Sequence, residues 1–213
     1  MERDYITIAL AKGRLGEKTM DLLEQCGVDC SDVRDPGRKL EFFDHKGGYS
    51  FFLVKPSDVP TYVDHGVADI GVVGKDTLLE ENRPLYEMLE TGIGKCKLSV
   101  AGYPGAIEKR GAKTLRIATK YPNIAKRFYQ NKGTTVEIIK LNGSVELGPV
   151  TGLSDVILDI VESGKTLEAN GLQVLEDVCA VSARLVVNQV SLKTKSKRIK
   201  ALIAALKECC EDR

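Results

Sequence analysis

The chain has 213 residues, 43% hydrophobic and 29% charged, enough to bury a full core as one large or two small domains. Its 31 basic and 30 acidic side chains leave a formal net charge of +1, so there is no general electrostatic footprint for nucleic acid or for a membrane surface. No apolar run reaches the roughly 18 residues of a membrane span, and the opening MERDYITIALAKGR enters a strand-like pattern without the parts of a signal peptide, so a cytoplasmic protein is expected.

Residues 5–10 (YITIAL) read as a buried strand. Ala11-Lys12-Gly13-Arg14 then makes a glycine-bearing turn with two cations, and a helix follows with its apolar side at Leu15, Thr19, Leu22, Leu23 and Cys26, closed by Gly27. In open α/β sheets such a strand-to-helix tip is an anion-binding geometry, and an ordinary solvated turn is the alternative. Residues 39–44 and 49–54 read as a hairpin around His45-Lys46-Gly47-Gly48. Lys55-Pro56-Ser57-Asp58-Val59-Pro60 leads into a helix ending near Gly66, with Ser57 or Asp58 placed to cap it and Pro60 in its first turn. Residues 69–73 are a short buried strand that runs into Gly74-Lys75-Asp76, a third charged, glycine-bearing junction.

Residues 86–94 read as a strand and crossover, and residues 95–101 open a new strand. Strand 115–119, a helix over 122–130 and strand 135–141 give a βαβ pattern. Two β-type runs, 172–179 and 180–190, precede a terminal amphipathic helix over 196–211, whose apolar set (Ile199, Leu202, Ile203, Leu206 and Cys209 or Cys210) is read as core. The six cysteines are scattered and read as free thiols, and His45 and His65 stand alone, so no histidine metal site or triad is indicated.

Residues 141–172 (LNGSVELGPVTGLSDVILDIVESGKTLEANGL) concentrate the chemistry. A turn at Gly148, Pro149 and Gly152 is expected to lead into an amphipathic helix over 154–162, with Asp155 and Asp159 four residues apart on one face. The chain then breaks at Ser163-Gly164-Lys165-Thr166, where Gly164 can turn left-handed and the Thr166 hydroxyl and successive N–H groups can face an anion. A further helical turn from Thr166 through Asn170 would add its dipole. A nucleotide P-loop is excluded, because that motif needs glycine where Asp159 stands.

The same stretch resembles the phosphoribosyl-pyrophosphate (PRPP) region of the ATP phosphoribosyltransferase family. The resemblance rests on Glu146, Gly152-Leu153-Ser154-Asp155, Asp159, Ser163-Gly164-Lys165-Thr166-Leu167 and Asn170-Gly171-Leu172, and it extends to the Lys12-Gly13-Arg14-Leu15 and Gly66–Asp76 segments. It implies a two-lobed, periplasmic-binding-protein-like (type II) α/β fold with the active site in the inter-lobe cleft. Residues 1–92 with 180–213 would form lobe I and residues 93–179 lobe II, carrying the PRPP loop.

The implied reaction is transfer of phosphoribosyl from PRPP to N1 of ATP, the opening step of histidine biosynthesis, with Mg²⁺ as cofactor and no metal ligands identified. In PRPP binding the resemblance implies Glu146, Asp155, Asp159, Ser163, Gly164, Lys165, Thr166 and Leu167. For ATP and pyrophosphate it implies Lys12, Gly13, Arg14, Gly74, Lys75 and Asp76, with Lys12, Arg14, Lys55 and Asp159 closest to the chemistry. Family members often carry arginine where Lys55 stands, and lysine keeps the charge without the bidentate fork. The length matches the short form, without a C-terminal regulatory domain. Such chains work in a hetero-oligomer, of hetero-octameric size, with a histidyl-tRNA-synthetase-like regulatory subunit through which histidine inhibits. A cytoplasmic solute-binding module on the same fold and a phosphoribosyltransferase with another base acceptor are the rival expectations.

Overall fold

The computed structural model describes residues 5–109, 111 and 113–211. To Gly94 the order is β1 (Ile6–Ala11), α1 (Arg14–Gln25), α2 (Ser31–Arg34), β2 (Phe42–Asp44), β3 (Tyr49–Val54), a 3₁₀ turn (Pro56–Asp58), α3 (Val59–Asp64), β4 (Ile70–Gly74), α4 (Lys75–Glu81) and β5 (Tyr86–Glu90). Next come β6 (Cys96–Gly102), α5 (Ala106–Lys109), β7 (Leu115–Thr119), α6 (Pro122–Asn131), β8 (Val136–Lys140), α7 (Leu147–Val150), β9 (Val156–Val161), α8 (Lys165–Ala169) and β10 (Gln173–Val181). The chain closes with β11 (Ala183–Val187), α9 (Gln189–Thr194) and α10 (Ser196–Glu211). Its contacts divide it into two compact units, one running to Gly94 and resuming at Ser182, the other Lys95–Val181, against the boundaries at 92 and 179 read from the sequence.

The first unit is a six-stranded sheet in the order β2-β3-β1-β4-β11-β5. β1 runs parallel to β3 and to β4, whereas β2, β11 and β5 pair antiparallel with their neighbours. Alternation along β1 splits the core: Ile6, Ile8 and Leu10 join Leu22, Leu23, Phe42 and Phe51 on one face, while Ala9 and Ala11 meet Val59, Val63 and Val186 on the other. Gly71 in β4 is needed for that second face, because a Cβ there would sit 2.6 Å from Val59 Cγ1 and 2.8 Å from Val63 Cγ2. The apolar stripe of α10 is core as expected: Ile199, Leu202 and Leu206 are buried in the first of these clusters. Truncating Ile199 to Ala would cost about 2–5 kcal/mol in lost transfer and cavity energy.

The second unit is a five-stranded sheet in the order β10-β6-β9-β7-β8. β7 is parallel to β8 and β9, and β6 is antiparallel to both β9 and β10. The parallel trio therefore ends on one edge of the sheet, where the loops after β7, β8 and β9 emerge. The expected helix over 154–162 is instead strand β9. Val156, Ile157 and Leu158 are fully buried, and a central strand covered on both faces reads as a continuous apolar run rather than an alternating one. β-branched Val156, Ile157, Ile160 and Val161 favour the pleated backbone. Gly148 and Pro149 lie within α7, and Gly152 takes φ 75° in the turn beyond it. Asp58 does stand at the N-cap of α3 but makes no side-chain cap bond; the 3₁₀ turn leads the chain into that helix instead.

Candidate functional site

β9 delivers Val161 to the sheet edge, and Glu162, Ser163 and Gly164 make the turn into α8. Gly164 is the N-cap of α8 with φ 73° and ψ −6°, the left-handed conformation expected of it, and its carbonyl accepts the Glu168 N–H at 3.0 Å. A Cβ at Gly164 would meet nothing within 4 Å, so the requirement for glycine is conformational rather than steric. The first N–H groups of any helix lack intrahelical partners, and here they belong to Lys165, Thr166 and Leu167. Leu167 is buried beside Ala101, Ala118, Val145 and Ile157, which fixes α8 on the sheet.

This turn borders a cavity of about 250 Å³ whose wall includes Glu146, Asp159, Ser163, Gly164, Lys165 and Thr166. Of the eight residues that the resemblance gives to PRPP, all but Asp155 line it, Leu167 included. Glu146 reaches the wall from the loop after β8. Val145 beside it is buried in the core, and Gly148 lets α7 lie flat, since a Cβ there would sit 2.5 Å from Ser154 Oγ and 2.8 Å from Ala118 Cβ. Thr119 shapes the neighbouring tip: its hydroxyl donates to the Leu158 carbonyl at 2.6 Å and accepts the Tyr121 N–H at 2.9 Å.

Asp155 and Asp159 are separated because β9 is extended: four strand residues span about 13 Å. Asp155 precedes β9 at its far end. Its two carboxylate oxygens accept from Arg116 Nη2 at 2.8 Å and from the Arg116 N–H at 2.9 Å. The same guanidinium donates through Nη1 to the carbonyls of Gly152 and Leu153. Asp155's hydrogen bond and charge in turn hold the Arg116 pKa above its usual value. Asp155 thereby ties the turn before β9 to β7 and sets the register of the strand that carries Asp159.

Two residues near Asp159 were not singled out from the sequence. Ser99 on β6 stands opposite Asp159 on β9 and opposite Asp177 on β10, so the three form a row across the sheet. Ser99 is 1% exposed and donates to Asp177 Oδ1 at 2.9 Å, while Lys97 Nζ donates to Asp177 Oδ2 at 2.5 Å. These bonds, Lys97's first, hold the Asp177 carboxyl below its ordinary range. A serine inside an apolar strand gave no signal of this; only strand register does.

In the first unit, parallel β1, β3 and β4 bring three tips to one sheet edge: Lys12-Gly13-Arg14, Lys55 and Gly74-Lys75-Asp76. The Lys12 N–H donates to the Val54 carbonyl at 2.7 Å, joining the first two tips. Gly13 has φ 87° and ψ −162°, a region essentially closed to other residues. Gly16 lets α1 start directly under β1, as a Cβ there would lie 1.9 Å from the Ala11 oxygen. Lys12 and Lys55 are exposed and make no ion pair with the described residues. Lys75 differs: its Nζ holds Glu87 Oε1 at 2.5 Å and its N–H donates to the Ser182 carbonyl. Asp76 is buried and folded back over Gly74, where its Oδ1 would lie 2.1 Å from an added Cβ.

Among the described residues no group of three or more His, Cys, Asp or Glu side chains is placed to hold a metal ion. All six cysteines are free thiols. His45 bonds through Nδ1 to the Tyr5 hydroxyl at 2.7 Å and stacks on Phe43, a structural role. No helix of the described residues is long and apolar enough to cross a membrane.

A family model described as ATP phosphoribosyltransferase matches residues 55–208. ATP phosphoribosyltransferases of Lachnospira eligens and Lachnoclostridium phytofermentans are each 57% identical, over 210 and 207 residues. They cover 97% and 96% of this chain and the same shares of their own lengths. Among solved structures, the ATP phosphoribosyl transferase (HisG:HisZ) complex from Thermotoga maritima matches at 38% identity with a TM-score of 0.84, over 98% of this chain and 100% of the matched one. The VFT2 domain of Bordetella pertussis BvgS matches at 11% identity with a TM-score of 0.58, over 98% of this chain and 92% of its own, a likeness of fold alone.

Proposed function

The chain belongs to the ATP phosphoribosyltransferase family, and from that membership we propose how its own residues carry phosphoribosyl transfer from PRPP to N1 of ATP, the first step of histidine biosynthesis. The observation that supports the assignment of roles is the convergence of Glu146, Asp159 and the Ser163–Leu167 segment on one cavity. The 5-phosphate of PRPP takes the turn from Ser163 to Leu167, where hydroxyls, helix-start N–H groups and the Lys165 cation meet an anion; each charge-assisted contact contributes about 1.5–3 kcal/mol. Asp159 accepts the ribose hydroxyls, and Glu146, lining the same cavity, is available for a hydroxyl or a cation. Asp155 acts at a distance, by anchoring β9 through Arg116.

In the reaction the N1–C1 bond forms as the bond from C1 to the pyrophosphate oxygen breaks, with inversion at C1. Adenine N1 already holds a lone pair, so no strong general base is required and positioning carries most of the acceleration. Charge builds on the departing pyrophosphate, which calls for cations. Lys12, Arg14 and Lys55 supply them from the β1 and β3 tips, with the backbone of Gly13 and Gly74 alongside. Lys75, already paired with Glu87, contributes less. Mg²⁺ would be held mainly by the phosphates of the substrates, with the Glu146 carboxylate on the same cavity, and would supply neutralisation of leaving-group charge. The likeness to a chain of the HisG:HisZ complex supports assembly with a partner subunit; the same reading makes that partner a synthetase-like regulatory subunit through which histidine acts in the cytoplasm.

The test is formation of phosphoribosyl-ATP from ATP, PRPP and Mg²⁺, with pyrophosphatase present, by the chain alone and with the partner subunit. Product formation that falls steeply in Asp159→Asn and Thr166→Ala supports the reading. Absence of product in both mixtures, with PRPP leaving the melting temperature unchanged, overturns it in favour of a solute-binding module.

A further inference from the structure

Two apolar helix stripes in the first unit end on thiols that face each other. On α1 the buried positions Thr19, Leu22 and Leu23 lead to Cys26, the C-cap residue. On α10 the buried positions Ile199, Leu202 and Leu206 lead, three residues on, to Cys209. Cys26 Sγ and Cys209 Sγ lie 3.1 Å apart although 183 positions separate them in sequence. A disulfide needs about 2.05 Å, so bond formation asks for an approach of about 1 Å, within reach of small side-chain rotations.

We propose that Cys26 and Cys209 form an oxidative modification site, a dithiol that hydrogen peroxide closes to an intramolecular disulfide joining α1 to α10. Both residues are half-buried, open enough for an oxidant of that size yet held by the core around them. Cys210 lies close enough to act electrostatically on Cys26, but its Sγ donates to the Thr91 carbonyl at 3.5 Å. Cys30 is buried. In the reduced form burial, with the Cys209 contact adding to it, pushes the Cys26 thiol up to about 12, so Cys26 rests as the neutral thiol.

The steps balance as follows. One cysteine loses its proton and attacks peroxide as the thiolate: an S–O bond forms, the O–O bond breaks, and the departing hydroxide takes up a proton to leave as water. The second thiol attacks the resulting sulfenic sulfur: the S–S bond forms, the S–O bond breaks, and a second water leaves with that thiol's proton. Two electrons pass from the sulfurs to peroxide. The link cross-ties the two ends of the first unit, and because it closes a long loop in the unfolded chain it should raise the melting temperature by roughly 5–10 °C. α1 is also the helix that begins at the Lys12-Gly13 tip, so the cross-tie anchors the far end of a site-bearing element.

The experiment treats the reduced full-length chain with hydrogen peroxide, quenches it, and alkylates the remaining thiols under denaturing conditions. The expected product is a monomer with four of its six cysteines alkylated, lighter by two hydrogens before alkylation. A non-reducing digest should join the Cys26 and Cys209 peptides, and the rise in melting temperature should vanish with dithiothreitol. Cys209→Ser should abolish the link and the shift, and Cys210→Ser should retain both. Six alkylated thiols after peroxide, a link through Cys210, or a link between two chains each overturn the proposal, and the wild-type digest decides even if a variant fails to fold.

Discussion

Each unit offers the tips of parallel strands, but the two edges are built from different material. In the Lys95–Val181 unit the edge is acidic and hydroxyl-bearing, and most of it comes from one contiguous turn, Ser163 to Leu167, with Asp159 four residues before it in β9. In the other unit the edge is cationic and assembled from three distant segments, around residues 12, 55 and 75, that only the pairing of β1 with β3 and β4 brings side by side. A contiguous turn is set by local backbone geometry, so its groups stand or fall together. An edge gathered from separate strands lets one member be diverted, as Lys75 is to Glu87, while Lys12 and Lys55 stay open. In the proposed assignment of roles, anchoring chemistry sits on the local turn and charge stabilisation on the dispersed edge.

The largest effect should come from within the acidic edge. Asp159→Asn removes a charge-assisted contact to the ribose and should lower kcat/KM for PRPP about 100-fold. Asp155→Asn should stay within about threefold in kcat/KM while lowering the melting temperature, because it loosens the Arg116 anchor instead. Steady-state kinetics and thermal melts on both variants check this, and equal kinetic losses would return Asp155 to the substrate.

The two edge glycines come next. A Cβ meets nothing within 4 Å at either Gly13 or Gly164, so Ala tests the backbone alone. Gly13→Ala should cost about 1–3 kcal/mol, as φ 87° with ψ −162° is close to forbidden for other residues. Gly164→Ala, in the left-handed helical region, should cost about 1 kcal/mol. Urea denaturation gives both values, and the reverse order would contradict the geometry. Within the cationic edge, Lys12→Ala should reduce turnover about tenfold and Lys75→Ala only about two- to threefold, since the latter charge is already spent on Glu87. Comparable losses would place Lys75 in the site despite its partner.

The smallest effect is a pH dependence. Asp177 has its folded pKa lowered below the ordinary 3.8 by Lys97 and Ser99. Its contribution to stability is therefore present above that ordinary value and is lost as pH falls through the lower folded one. Melting curves of the wild type and Asp177→Asn should differ slightly at neutral pH and converge as pH falls through the lowered folded pKa, and added salt should shrink the difference because the pair is solvent-exposed.

Much of this architecture is legible without coordinates. Strand 115–119, the helix after it and the terminal helix over 196–211 stand where apolar periodicity puts them. The turn at Gly164 was legible because glycine, serine and threonine in one short segment specify a local conformation. Reading 154–162 as a helix failed because i and i+4 share a face on a strand as well as on a helix. The carboxylate spacing therefore could not arbitrate, and the β-branched run carried the true signal. The Ser99–Asp177 and Arg116–Asp155 links were not legible, since each depends on the register of strands 39 or more residues apart in sequence.

The sequence by itself determined the alternation of elements, the glycines that turn the strand tips and the contiguous phosphate-type turn, because these follow from backbone preferences and nearest-neighbour spacing. Only the tertiary structure decided that Asp155 is an anchor while Asp159 lines the cavity, that Lys75 is spent on Glu87, and that Cys26 meets Cys209. Those outcomes depend on which strands and helices become neighbours, and that choice is made by burying the apolar faces of the whole chain together rather than by any segment alone.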